Sequence, residues 1–173
     1  MKLTLVSASL SKNSRSRQML SVMQKLFEER GAEISTIDLR EIEMDFCDAR
    51  KESYGKDIEE AKALMNSADG LIFGYGVYCY SIPGVLKNFI DIACESMVKP
   101  FGQVIASGGN NAFLSHEHLS QILVNEVHAA PYPHVIFASY AEYVGGDITD
   151  EKLMQRMVEY ADGYLDWSSR LCR

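Results

Sequence analysis

Short apolar runs alternate with stretches of helical periodicity along almost the whole chain. KLTLVSA (2–8) has the near-continuous apolar character of a strand buried on both faces. From Ser14 to Glu29, Met19, Leu20, Met23, Leu26 and Phe27 recur at i, i+3, i+4 spacing, which predicts an amphipathic helix that Gly31 stops. EISTIDL (33–39) predicts a second strand, and the mixed, charged segment from Arg40 to Lys56 a long excursion. A helix over 57–67 and a strand at DGLIFGY (69–75) follow. Pro83 suits the first turn of a helix running to Glu95. FGQVIAS (101–107) predicts a fourth strand, 115–127 a helix, HVIFASY (134–140) a fifth strand and 149–169 the last helix. In that helix Met154, Met157, Val158, Ala161 and Leu165 share one face.

Strands separated by helices imply an α/β fold with a parallel sheet covered on both faces, because each right-handed crossover lays its helix against the sheet. With five strands and no internal repeat or low-complexity linker, residues 1–173 read as one domain. The expected architecture is a flavodoxin-like three-layer sandwich with a five-stranded parallel sheet in the order 2-1-3-4-5. In such a sheet the ligand crevice lies at the carboxyl ends of the strands, beside strand 1. The segments after Ala8, Gly74, Ala106 and Tyr140 are therefore the places to look for chemistry.

Composition narrows the choice of ligand. A chain of 173 residues can bury roughly two thirds of its unfolded surface in one core. Its formal charge of −7 argues against nucleic acid as a partner, so any anion it binds must meet a local positive patch. The N-terminus lacks the apolar core of a signal peptide, and the stretch from Leu71 to Leu86 is too short and too rich in glycine and proline for a membrane span. Cys47, Cys79, Cys94 and Cys172 show no metal-ligand spacing and read as reduced thiols of a cytoplasmic protein.

The first candidate loop is SLSKNSRSR (9–17), between strand 1 and the first helix. A helix N-terminus offers unpaired N–H groups and partial positive charge, which suit a phosphate. Ser9, Ser11, Ser14 and Ser16 add hydroxyls, and Arg15 or Lys12 a charge; a serine N-cap on a solvated helix start explains the same residues without a ligand. The second loop, GYGVYCYSIPGVLKNFID (74–91), places Tyr75, Tyr78 and Tyr80 where a flat aromatic ligand could lie, although tyrosines beside a core more often pack into it. The loop has Gly74-x-Gly76 without the third glycine of a dinucleotide fingerprint.

YSIPGVLKNFID closely resembles the signature of the NAD(P)H-dependent FMN reductase family, P-E-Y-N-x-S-I-P-G-x-L-K-N-x-I-D. The opening loop resembles that family's G-S-x-R-x-x-S-x-N phosphate loop, and SGGNNAF (107–113) its small-residue turn after strand 4. The resemblance implies a flavodoxin-like fold that binds FMN and reduces free flavin, quinones, azo dyes or metal oxyanions with NAD(P)H. It further implies that Ser9, Ser14 and Ser16 hold the phosphate and that Val77, Tyr78, Cys79, Tyr80 and Ser81 line the isoalloxazine, with Ile82 nearby. Ser107, Gly108, Gly109 and Asn110 would approach the pyrimidine edge, where glycines let backbone N–H groups come close to the developing negative charge. Ser11 stands where the family has its arginine, so charge neutralisation falls to Arg15, Arg17 or Lys12. P-E-Y-N is G-V-Y-C at 76–79, which favours a flavin that comes and goes as a substrate.

The implied reaction is ping-pong, from NAD(P)H to FMN and then to a small-molecule acceptor, with no side chain assigned an acid or base role. A flavodoxin-type electron carrier and a flavin-free regulatory protein are the alternatives. A homodimer or homotetramer is implied, and the apolar face of Phe89, Ile90, Ala93 and Met97 would suit its interface. His116 and His118, two apart on a helix, point to different sides and make a poor metal pair. His134 is expected at the start of strand 5, near the cofactor edge, Lys87 and Asp91 as a helix ion pair, and Cys79 without a base to activate it.

Overall fold

The computed structural model describes residues 1–50, 52–144, 147–148 and 150–171. Strands β1 (Lys2–Ser7), β2 (Glu33–Asp38), β3 (Gly70–Gly76), β4 (Pro100–Ala106) and β5 (Ala130–Ala138) form one parallel sheet in the order β2-β1-β3-β4-β5. The alternation of elements in the sequence predicts this order, and it is the one found.

Helices α1 (Arg15–Glu29) and α5 (Glu151–Leu171) cover one face, and α2 (Lys56–Ser67), α3 (Gly84–Ala93) and α4 (Ser115–Glu126) the other. Successive strand residues point to opposite faces. Leu3 and Leu5 of β1, Ile72 of β3 and Val104 of β4 accordingly join the Met19, Met23 and Phe27 stripe of α1 and Met157 of α5. Val6, Phe73, Phe101 and Ile105 join Ile58, Leu86, Phe89, Leu119 and Leu123 on the other side. Thr4, buried in the middle of β1, donates its hydroxyl proton to Leu64 O of α2 at 3.1 Å.

Glycines, among them Gly74 and Gly102, let the α1/α5 layer sit close to the sheet. A β-carbon at Gly74 would overlap the Leu20 side chain, and one at Gly102 the Tyr160 hydroxyl. That hydroxyl accepts the Gln103 amide proton at 2.8 Å, beside an irregularity where Phe101 pairs with Pro131 but Gln103 with Val135. One β4 residue thus faces three on β5. The β5 strand starts at Ala130, four residues before the expected boundary, and includes Pro131 and Pro133. Prolines argue against a strand in a sheet interior, but β5 is an edge, where their missing N–H groups break only one ladder. His134 therefore lies in the middle of the strand, exposed and packed edgewise on Tyr132, and not at the end that faces the candidate loops.

Pro83 is the N-cap of α3 and not its first helical residue, with ψ at 146°. The α3 face expected at an oligomer interface is the chain's own core: Phe89, Ile90, Ala93 and Met97 are all buried against α2, α4 and the sheet. Asp150 caps α5, its carboxylate accepting the Leu153 amide proton at 2.6 Å. Thr149, the expected first residue of that helix, and Cys172 lie outside the described residues. A two-residue hairpin, β6 (Tyr143–Val144) with β7 (Asp147–Ile148), precedes it and carries no periodicity that the sequence could reveal. No helix among the described residues is long and apolar enough to cross a membrane.

Gly74→Ala should lower unfolding stability by about 1–3 kcal/mol, the usual cost of overpacking, because Leu20 is wedged between α1 and the sheet. Gly84→Ala, whose β-carbon meets nothing, should be neutral or stabilising by up to about 1 kcal/mol. Urea denaturation of the two variants compares them directly, and equal midpoints would show that α1 can move away from the sheet.

Candidate functional site

At the carboxyl edge of the sheet, the loops after β1, β3 and β4 border an open cavity of about 330 Å³. Ser9, Ser11, Asn13, Ser14, Arg15 and Ser16 line one side, and Gly76, Val77, Tyr78, Ala106 and Ser107 the other. The three candidate loops thus meet in space.

In the serine loop, Ser9, Ser14 and Ser16 are buried and Ser11 is exposed. Ser14 caps α1, accepting the Arg17 amide proton at 3.1 Å, and its hydroxyl lies 3.1 Å from that of Ser16. Capping satisfies one of the orphan helix donors. The Arg15 and Ser16 amides have no protein acceptor among the described residues. The serine N-cap is present, and it coexists with two amides without a protein acceptor, on residues that line the cavity.

The two arginines of this loop have opposite surroundings. Arg17 is engaged on every side: Nε and Nη2 donate to the Asp38 carboxylate at 2.8 and 3.1 Å, and Nη1 and Nη2 to Ser11 O and Ser9 O at 2.8 and 2.5 Å. With the pair only 22 % and 24 % exposed, this is a charge-assisted clamp that ties the serine loop to the end of β2. It removes Arg17 from the charges expected to meet a ligand. Arg15 instead lies in the cavity wall with its guanidinium over the rings of Tyr140 and Tyr143, 4.5 and 4.9 Å from their centroids.

The second loop leaves β3 at Gly76 and doubles back at once. Tyr78 and Ser81 exchange backbone hydrogen bonds of 3.0 and 2.9 Å around Cys79 and Tyr80, which have φ of 49° and 61°. Positive φ at both central positions is the signature of a type I′ turn, usually built from Asn-Gly. Here a cysteine and a tyrosine adopt it, at a cost of about 1–2 kcal/mol each. Val77 and Tyr78 reach the cavity wall. Cys79 and Tyr80 are exposed at the tip of the turn, and Ser81 lies 2.9 Å from His118 Nδ1 of α4. Ile82 is buried in the core and anchors the loop from behind.

Tyr75, one of the three tyrosines grouped by the sequence, is not part of this loop's surface. It points into the core, fully buried, and donates to Gln103 Oε1 at 2.7 Å; burial pushes its phenol far above the ordinary range. Gln103 Nε2 in turn reaches His116 O and the Ser120 hydroxyl of α4, at 3.3 and 3.0 Å. Nothing in the local pattern of the chain singles out Gln103, the polar link between β3, β4 and α4.

In the third loop, Ser107 lines the cavity, and its hydroxyl accepts the Gly109 amide proton at 3.3 Å. Gly108, Gly109 and Asn110 are exposed and follow Ser107 along the chain without entering the wall. A β-carbon at Gly108 or Gly109 would meet nothing, and Gly109 has φ of −160°, so the fold itself does not require glycine at either position.

The residues with weaker claims resolve into structure. Lys87 and Asp91 form the expected ion pair on α3, at 2.5 and 2.6 Å. Asn88 holds the 40–56 excursion, accepting the Cys47 amide proton at 2.8 Å and donating to Asp45 O at 2.9 Å. His116 Nδ1 lies 2.8 Å from Phe113 O and its Nε2 3.0 Å from Glu117, so the two α4 histidines engage different partners. His128 Nδ1 lies 3.1 Å from the Ser96 hydroxyl.

A protein-family model described as NADPH-dependent FMN reductase matches residues 1–142. The chain belongs to that family. Among the relatives of this FMN reductase chain is an NAD(P)H-dependent FMN reductase of Pseudomonas aeruginosa, 29 % identical over 150 residues, covering 82 % of this chain and 81 % of that protein. An NAD(P)H-dependent FAD/FMN reductase of Geobacillus thermodenitrificans is 25 % identical over 133 residues, 75 % of this chain and 72 % of that one. The solved structure of a flavoenzyme NAD(P)H:(acceptor) oxidoreductase from Paracoccus denitrificans superimposes with a TM-score of 0.76 at 23 % identity, covering 98 % of this chain and 97 % of that one, which shows the shared fold. The matched span includes all three loops and Tyr140; Tyr143 and α5 lie beyond it.

Thiol chemistry separates the cysteines of this reductase family member. Burial, with the nearby Asp91 charge, pushes the Cys94 thiol up to about 12, whereas Cys47 and Cys79 are exposed. A raised thiol pKa keeps the group protonated, with a thiolate fraction of about one in ten thousand at about pH 8. Alkylation of the folded protein at that pH should therefore mark Cys47 and Cys79 and spare Cys94, as read by peptide mass mapping. Rapid labelling of Cys94 would mean that its surroundings at the end of α3 open.

Proposed function

We propose that this chain, as a single FMN-binding domain spanning residues 1–173, is an NAD(P)H-dependent oxidoreductase that serves a small-molecule acceptor such as free flavin or a quinone. The observation that carries the proposal is the cavity at the ends of β1, β3 and β4. One side has buried serine hydroxyls, free helix amides and an arginine, and the other an apolar shelf of Val77 and Tyr78. That pairing of an anion socket with an apolar wall fits a ring bearing a phosphate tail. When bound, FMN supplies the redox chemistry, a hydride taken from NAD(P)H and two electrons passed to the acceptor.

The residues of this chain bind, orient and shield. Ser9, Ser11, Ser14 and Ser16 offer hydroxyls to the phosphate, joined by the Arg15 and Ser16 amides, and Arg15 supplies the charge. Val77, Tyr78, Cys79, Tyr80 and Ser81 cover the ring, with Ile82 fixing their base. Ser107, Gly108, Gly109 and Asn110 approach the pyrimidine edge. The Gly109 amide, held at 3.3 Å by Ser107, is only weakly engaged and free to turn outward to stabilise negative charge. The proposed setting is the cytoplasm, and the proposed homo-oligomer uses a surface other than the buried face of α3. Neither an electron-carrier role nor a flavin-free regulatory one draws support from the two curated relatives, both of which are named as reductases.

The purified protein should oxidise NAD(P)H when FMN and a quinone, or excess flavin, are present. Stoichiometric FMN binding with no reduction by either nicotinamide cofactor within minutes would reject the reductase and favour the carrier.

Gly109→Val tests the third loop. The folded chain has room for the side chain, so thermal stability should hold, while a β-branched group at the pyrimidine edge should weaken FMN binding. Unchanged affinity, measured by flavin fluorescence quenching, would remove this loop from the site.

A further inference from the structure

We propose that Tyr140 and Tyr143 are positioning residues for Arg15, holding its guanidinium between their rings so that its charge stays available to the phosphate of a bound flavin nucleotide. The inference rests on the proposed phosphate site in the serine loop and concerns how that site keeps its charge.

An arginine in a loop can be fixed by a carboxylate or by aromatic faces. A carboxylate fixes the guanidinium and neutralises it, as Asp38 does to Arg17. An aromatic face attracts the cation through the ring quadrupole, carries no net charge and leaves the edge N–H donors exposed. Arg15 is in the second situation: two rings at 4.5 and 4.9 Å, and no ion-pair partner among the described residues. The surroundings keep it so. Glu142, between the two tyrosines in sequence, carries a carboxylate that is committed elsewhere. It accepts the Ser139 amide and hydroxyl protons at 2.6 and 3.2 Å and pairs with Arg156 of α5. Arg156 also donates to Phe137 O at 3.1 Å, so α5 locks the 3-10 turn Tyr140–Glu142 to the end of β5.

The Tyr143 hydroxyl is buried and has no hydrogen-bond partner among the described residues. Its value to the site therefore lies in the ring face and not in the hydroxyl.

The test compares FMN with riboflavin, which has the same ring and no phosphate, by fluorescence titration of the full chain. Tyr140 is 63 % exposed, so Tyr140→Ala should fold normally, and its melting temperature checks this. Tyr140→Ala is expected to weaken FMN by about two- to fivefold while leaving riboflavin unchanged. Tyr140→Phe and Tyr143→Phe, which keep the ring faces, should retain the FMN preference. In an Arg15→Ala background, Tyr140→Ala should have no further effect. Equal weakening of both flavins, or an undiminished effect without Arg15, would overturn the inference and assign Tyr140 to the ring. An FMN preference that survives Tyr140→Ala intact would also overturn it while leaving the phosphate site standing. Equal affinities for FMN and riboflavin in the unmutated chain would overturn the phosphate site and this inference together.

Discussion

Strands β1, β3 and β4 have no face left for water. Helices lie on both sides, and the backbone groups of these strands are committed to neighbouring ladders. A polar group placed along them must find a partner, as Thr4 does on α2 and Tyr75 on Gln103, or carry the full desolvation penalty. Chemistry is thereby driven to the strand ends, where ladders stop and helices begin. Amides are free there for the reason that they are free at any helix N-terminus. The close approach of α1 at Gly74 sharpens the effect, because it seats that helix, through Leu20, against the end of β3. The cavity is thus a consequence of how the core is filled.

Charge is then managed within a few residues. The chain has a formal charge of −7, so a general positive field cannot attract an anion. Arg17 and Arg15 divide the work: one is neutralised by Asp38 and holds the loop in shape, and the other stands between tyrosines in the wall. Exchanging the two environments would leave a loop with its clamp broken or a cavity wall with its charge cancelled. Spacing decides which is which, since residues two apart at a helix start face different neighbours.

The sequence is most legible where periodicity and burial agree. The strict apolar runs of β1, β3 and β4 and the stripe of α1 give the layer order and put the loops at one edge, and IPGVLKN marks the family. Legibility fails where the decisive partner is remote in the chain. Pro131 and Pro133 hide the first half of β5, because only the sheet order shows that the strand is an edge. Tyr75 resembles its loop neighbours Tyr78 and Tyr80, and its buried fate depends on Gln103, twenty-eight residues away. The α3 face that suggests an interface is apolar because α2 and α4 lie on it. Tyr140 and Tyr143 reach Arg15 across more than a hundred residues, with no local pattern to announce them.

The turn at Cys79 and Tyr80 is the part of the site closest to energetic balance. Two left-handed non-glycine residues cost about 1–2 kcal/mol each, and the two hydrogen bonds between Tyr78 and Ser81 return about 0.5–1.5 kcal/mol each. Those contributions nearly cancel, so the conformation must be decided from outside the turn. Burial of Ile82, worth about 1.5–3 kcal/mol, holds its exit, and the Ser81–His118 contact ties it to α4. Its entry follows Tyr75, fixed through Gln103 to the same helix. Both ends of the turn therefore answer to α4, and only the tip, with Cys79 and Tyr80 exposed, stands clear of the core.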